Sequence, residues 1–144
     1  MTAQTNTPVK KTGTRRPKII IDANQLAHIE GLAEGVRHRN PELADRLLDE
    51  LARASIIASE KMPANVVTIG STVTYRDDGN GQEKTATLVY PENADISLLR
   101  VSVMTPIGVA LLGLAEGASF HWDTRDNQRR LLTVTRVEPP APTQ

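Results

Sequence analysis

The hydrophobic period changes once along this chain, at Met62-Pro63, and that change limits what it can fold into. Before it, apolar residues recur at three- and four-residue spacing, as on one face of a helix. After it, short β-prone runs alternate with turn signals. The order predicts an α+β protein with its helices first and a mostly antiparallel sheet after them.

In the helical part, Asp22 is placed to cap a first helix, with Gln25 in the capping-box position. Leu26, Ile29, Leu32, Ala33 and Val36 supply its apolar stripe, which Gly31 and Gly35 weaken. Arg37-His38-Arg39-Asn40-Pro41 breaks the pattern. Asn40 then caps a second helix with Pro41 in its first turn. Leu43, Leu47, Leu51, Ala54 and Ala58 form the second stripe, with Leu48 and Ile57 widening it. Charges on the other side include Asp45, Arg46, Asp49, Glu50 and Arg53. A short link between two amphipathic helices predicts an antiparallel hairpin. Each arm is expected to hold about 16 residues, or roughly 24 Å. Ile19-Ile20-Ile21 precedes the hairpin as the start of a strand or a simple anchor.

Beyond Pro63, Val67, Ile69, Val73 and Tyr75 mark a first strand. Asp78-Gly79 and Asn80-Gly81 are hairpin turn signals. Lys84–Tyr90 is expected as the return strand and Ile96–Met104 as a third. Val109–Leu112 suits one or two helical turns stopped by Gly113. Ser119–Asp123 and Leu131–Val137 complete about five strands around the turn Thr124–Asn127. Phe120 and Trp122 should face one way and His121 the other.

The chain has 144 residues, 17 basic and 17 acidic, and no cysteine. Without cysteine there is no disulfide scaffold, thiolate metal site or cysteine nucleophile. No apolar run reaches the ~18 residues of a membrane span, so a soluble, cytoplasmic protein without membrane contact is expected. The neutral total hides an asymmetry. Residues 1–18 carry Lys10, Lys11, Arg15, Arg16 and Lys18 and no acid, so the remainder is about −5. The organisation expected is a disordered basic arm over 1–18, a helical hairpin over 19–62, a β domain over 63–138 and a Pro-rich tail over 139–144.

Catalytic motifs fail one after another. His28, His38 and His121 fit no metal spacing. Gly108–Gly113 has the glycine spacing of a phosphate-binding loop, but Leu114-Ala115 stands where Lys and a hydroxyl are needed. No catalytic residue, metal site or cofactor is expected.

Three separated blocks then resemble one family: Val66-Val67-Thr68-Ile69-Gly70-Ser71-Thr72-Val73, Thr87-Leu88-Val89-Tyr90-Pro91, and Thr105-Pro106-Ile107-Gly108 through Gly117. In order and spacing they are similar to the C-terminal domain of the Gre transcription elongation factors, over about residues 60–138. Glu60-Lys61-Met62-Pro63 and Leu88-Val89-Tyr90-Pro91 resemble more closely the branch called regulator of nucleoside diphosphate kinase.

The resemblance implies an FKBP-like (prolyl-isomerase-like) β domain carrying a short coiled coil. It implies binding to bacterial RNA polymerase at the rim of the secondary channel. The polymerase-contacting Ser-Pro step of Gre factors falls on Thr105-Pro106, with Met104 in place of an acid before it and Ile107 after it. In Gre factors an acidic pair at the hairpin tip helps hold a second magnesium for RNA cleavage. Here the tip is Arg37, His38, Arg39 and Asn40, with Glu42 and Asp45 just behind; of these, Asp45 best matches an acidic position in the regulator branch. The function expected is a non-enzymatic elongation regulator that occupies the channel rim without stimulating transcript cleavage. The alternatives are DNA or RNA binding through the basic arm, with steep salt dependence, and peptidyl-prolyl isomerisation. The latter is disfavoured by a chain with four aromatic residues.

Overall fold

The computed structural model describes residues 17–123 and 129–140. Residues 1–16 of the expected basic arm, the turn Thr124–Asn127, the end of the Pro-rich tail and the Trp122 side chain lie outside the described residues. The chain opens with strand β1 (Ile20–Asp22), followed by helices α1 (Ala23–Gly35) and α2 (Pro41–Arg53) and strand β2 (Ser55–Ile57). Strands β3 (Thr72–Asp77), β4 (Glu83–Val89) and β5 (Arg100–Ser102) follow. Helix α3 (Pro106–Leu111) precedes β6 (Ser119–Asp123) and β7 (Arg129–Glu138).

Both helix starts form for the expected reason. The Asp22 carboxylate accepts from Asn24 N–H (2.8 Å) and the Asn40 side chain from Leu43 N–H (3.2 Å). Each cap satisfies a donor that has no partner inside its helix. The stripes also bury as expected: Ile29 and Ala33 of α1 meet the core with Leu43, Ala44, Leu47 and Leu51 of α2. The helix lengths need correction. Each has 13 residues, about 20 Å. The second helix ends at Arg53 because Ser55, Ile56 and Ile57 pair in parallel with Ile20, Ile21 and Asp22. Ala58 lies beyond the helix and is exposed. The anchor at residues 19–21 is thus a strand that closes the base of the hairpin.

The main sheet has the order β5-β4-β3-β7-β6. Its pairs are antiparallel except β4 with β5, which are parallel. Val73, Ala86, Leu88, Phe120, Leu132, Val134 and Val137 are buried. They join Val109, Leu111 and Leu112 of α3 and the hairpin stripe in one core. Thr72 pairs through its hydroxyl with Thr87, and Thr74 with Thr85, so the other face of the sheet is polar. Phe120 is buried and His121 exposed, so these two face opposite ways as expected.

Two strand expectations change. The first strand begins at Thr72, because Gly70 (φ 97°) turns the chain and Ser71 takes the backbone bonds with Thr68 and Leu88. The third is only Arg100–Ser102. Ile96–Leu98 forms a 3₁₀ turn capped by Asp95 instead.

The β3–β4 turn is held by its acids. Asp77 accepts from Gly79 N–H (2.8 Å) and from the Arg130 guanidinium, and Asp78 accepts from the Thr133 hydroxyl (2.7 Å) and Arg76 Nε (2.8 Å). The Gly79 N–H is the largest cause that holds the Asp77 carboxyl below its ordinary range; for Asp78 it is the Thr133 hydroxyl. A carboxyl whose value is lowered by folding stabilises fully above the unfolded value of about 3.9 and loses that contribution as pH falls through the folded value. Urea midpoints should therefore be level above pH ~5 and fall below pH ~4. D77N/D78N should flatten the acid limb. An unchanged limb would remove these two acids from the account.

Candidate functional site

The turn that carries Met104, Thr105, Pro106 and Ile107 is fixed from inside. Thr105 Oγ1 accepts from Gly108 N–H (3.1 Å) and donates to the Ser102 carbonyl (2.7 Å). Ser102 Oγ accepts from Met104 N–H (2.9 Å). Thr105 therefore caps α3, and Pro106, with no N–H to lose, occupies its first turn. Gly108 lets the helix lie against β5: a Cβ there would stand 2.3 Å from the Ser102 carbonyl oxygen. Pro106 is exposed. Met104 and Ile107 are half-buried and pack against the core, so they support the turn as well as line it. The four residues expected to make a surface do lie on one turn, with Pro106 its most exposed member.

The hairpin tip lies on another part of the chain. Arg37, His38, Arg39 and Asn40 are exposed between the helices, and Glu42 and Asp45 are exposed in the first turns of α2. Arg37, just past the end of α1, pairs with Glu34 of its last turn (3.3 Å), and Arg53 with Glu50 (2.6 Å) within α2. Among the described residues no group of three His, Asp or Glu side chains is placed to hold a metal ion. Glu42 and Asp45 offer two hard oxygen donors beside a cationic tip, a poor fit to a magnesium site.

One set of contacts had no local signal. Gln25 does not complete a capping box. Its side-chain oxygen accepts from the Thr68 hydroxyl (2.5 Å) and Ile69 N–H (3.2 Å), across more than forty residues. The His28 ring stacks on Tyr90, with centroids 4.0 Å apart and planes 9° from parallel. The Ser59 hydroxyl donates to the Asp22 carboxylate. Burial is the main cause that raises the Tyr90 hydroxyl above its ordinary value, with Asp22 and then Glu92 adding to it. The Gln25 and His28 contacts, with Ile20 N–H donating to the Gly113 carbonyl (3.0 Å), hold the hairpin against the sheet domain, while the Ser59 bond to Asp22 lies within the hairpin's own base. Helix α2 also contacts α3, so hairpin and turn are parts of one packed unit.

Residues 62–139 match the family described as "Transcription elongation factor, GreA/GreB, C-term", and residues 17–57 match "Rnk N-terminus". The chain therefore belongs to the GreA/GreB family of transcription elongation factors. Within it, the N-terminal match and the curated relatives place it with the regulators of nucleoside diphosphate kinase. The regulator of nucleoside diphosphate kinase from Escherichia coli is 39% identical over 123 residues, spanning 85% of this chain and 90% of that one. Transcription elongation factor GreA from Nitrobacter hamburgensis is 30% identical over 76% of this chain and 75% of its own. The solved structure of a transcription elongation factor GreA/GreB from Nitrosomonas europaea superposes with a TM-score of 0.69 at 35% identity. It covers 85% of this chain and 99% of its own.

Proposed function

We propose that this protein binds bacterial RNA polymerase at the rim of the secondary channel and regulates elongation without stimulating transcript cleavage. Family membership supports the partner. The observation that carries the rest is the hairpin: 13-residue helices ending in a cationic tip. Cleavage stimulation needs anionic ligands for a second metal at the polymerase centre. Here Arg37, His38 and Arg39 stand at the tip, and Glu42 and Asp45 lie behind it. On this reading the sheet domain is of the prolyl-isomerase type, the helical pair is a short coiled coil, and the domain serves as a docking module rather than an enzyme.

The docking surface in this reading is the turn around Pro106. Its exposure and the rigid frame beneath it make it a preorganised contact, which lowers the ordering cost of association. Pro106→Glu should weaken binding to core polymerase at least ~10-fold, the loss of a small hot spot. Its folding stability should change by no more than about 1 kcal/mol, because only the chain-stiffening effect of proline is lost. Binding by fluorescence anisotropy, with a urea titration alongside, checks both. Unchanged binding would contradict the assignment of this turn.

A further inference from the structure

Residues Asp95–Arg100 hold large aliphatic side chains in water: Ile96 is 87% exposed, Leu98 56% and Leu99 59%. The segment is built to do so. Asp95 and Arg100 exchange backbone hydrogen bonds in both directions (3.0 and 2.9 Å), and the Leu99 carbonyl accepts from Thr87 N–H on β4 (2.8 Å). The Asp95 carboxylate accepts from both the Ser97 N–H (3.0 Å) and the Ser97 hydroxyl (2.6 Å). Leu99 sits at φ 58°, ψ 35°, and is the one non-glycine residue of positive φ among those described. A leucine in that left-handed region carries backbone strain that a glycine would not. Inside the fold, nothing is gained by placing these side chains outside it. Ordered apolar exposure on a strained turn is the mark of an interaction surface.

We propose that Ile96, Leu98 and Leu99 form a second contact with RNA polymerase, seated on an aliphatic patch beside the surface that meets Pro106. This rests on the proposed polymerase binding. Two observations select that occupant over a second copy of the chain. The first is continuity. The loop and the Thr105-Pro106 turn lie at the two ends of β5, a strand of three residues that spans about 10 Å. β5 is also the outer strand of its sheet, so a partner lying on Pro106 can extend along this edge to the loop. The second is size. Three side chains fall far short of the ~20–30 residues per side of a stable interface. The loop thus suits an addition to a larger contact rather than a dimer of its own. The partner patch is aliphatic because Asp95, the acid of the loop, is engaged by Ser97 and the loop presents alkyl groups outward.

The test measures binding to core RNA polymerase for the unmodified chain, I96S/L98S and P106E, at low and high salt. Leu99 is left in place so that the strained backbone is not altered. The expected result for I96S/L98S is a ~10-fold or greater loss of affinity at both salt concentrations, since an apolar contact is not screened. Its urea midpoint should stay within the small range of surface substitutions. Binding by I96S/L98S as tight as the unmodified chain would overturn the loop contact and leave the Pro106 reading standing. Unaltered binding by P106E with loss in I96S/L98S would do the reverse. Absence of binding by the unmodified chain would remove both. Sedimentation showing a dimer that I96S/L98S abolishes would assign the loop to a second copy and overturn this proposal.

Discussion

Gly108→Ala should lower folding stability by about 3 kcal/mol, the upper part of the usual range for overpacking. The added Cβ would stand 2.3 Å from the Ser102 carbonyl oxygen, 2.8 Å from Val103 Cα and 3.0 Å from Thr105 Oγ1. Two of these are backbone atoms of the segment leaving β5, which cannot rotate away as a flexible side chain would. Relief requires α3 to move off the strand, and that strains the Gly108 N–H to Thr105 Oγ1 bond (3.1 Å) that caps it. The same movement displaces the Met104–Ile107 turn, so polymerase binding should fall with stability. Gly31→Ala is the control. Nothing lies within 4 Å of a Cβ at that position on α1, and the change should add up to about 1 kcal/mol by helix propensity. Urea midpoints of the two variants should move in opposite directions. Equal midpoints would contradict the packing described for α3.

Gly113→Val should cost about 3–4 kcal/mol, and its effect should concentrate in the hairpin. Gly113 has φ 85°, and a Cβ there would meet Ile19 Cβ at 2.8 Å and the Ile20 carbonyl at 3.2 Å. Backbone strain and steric overlap therefore add. Gly113 also accepts from Ile20 N–H (3.0 Å) and donates to the Val67 carbonyl (2.9 Å). It is thus the point where β1, the base of the hairpin, is fastened to the sheet domain. Displacing β1 also removes the partner of β2, since Ser55–Ile57 pair with Ile20–Asp22. Hydrogen exchange should show early loss of protection in α1 and α2 while β3, β4 and β7 keep theirs. Uniform loss across both parts would mean that the hairpin and the sheet open as one unit.

What the sequence disclosed depended on the range of the interaction. Asp22 and Asn40 cap their helices through bonds to residues two and three positions away, which a local pattern contains. The turn around Asp78-Gly79-Asn80-Gly81 was legible for the same reason. The end of α2 was not. Helical spacing continues through Ala54 and Ala58, and the pairing of Ser55–Ile57 with Ile20–Asp22 that overrides it crosses 35 residues. Gln25 sits in a capping-box position, yet Thr68 and Ile69 claim its side-chain oxygen. Ile96–Met104 is apolar enough for a strand, but Asp95 caps a turn there and leaves Ile96 and Leu98 outside. In the candidate site, the Thr105-Pro106 turn was visible as a block. Its frame, made by the Ser102 hydroxyl and the close approach of Gly108, belongs to tertiary packing. The stack of His28 on Tyr90 left no trace in either local segment.

The most direct test of the account is competition between this protein and a Gre factor for core RNA polymerase, combined with cleavage on a backtracked complex. This chain should displace the Gre factor, suppress its cleavage, and give none of its own at any concentration. Displacement accompanied by cleavage would show that Glu42 and Asp45 hold a metal in spite of Arg37, His38 and Arg39. That result would contradict the reading of the hairpin tip.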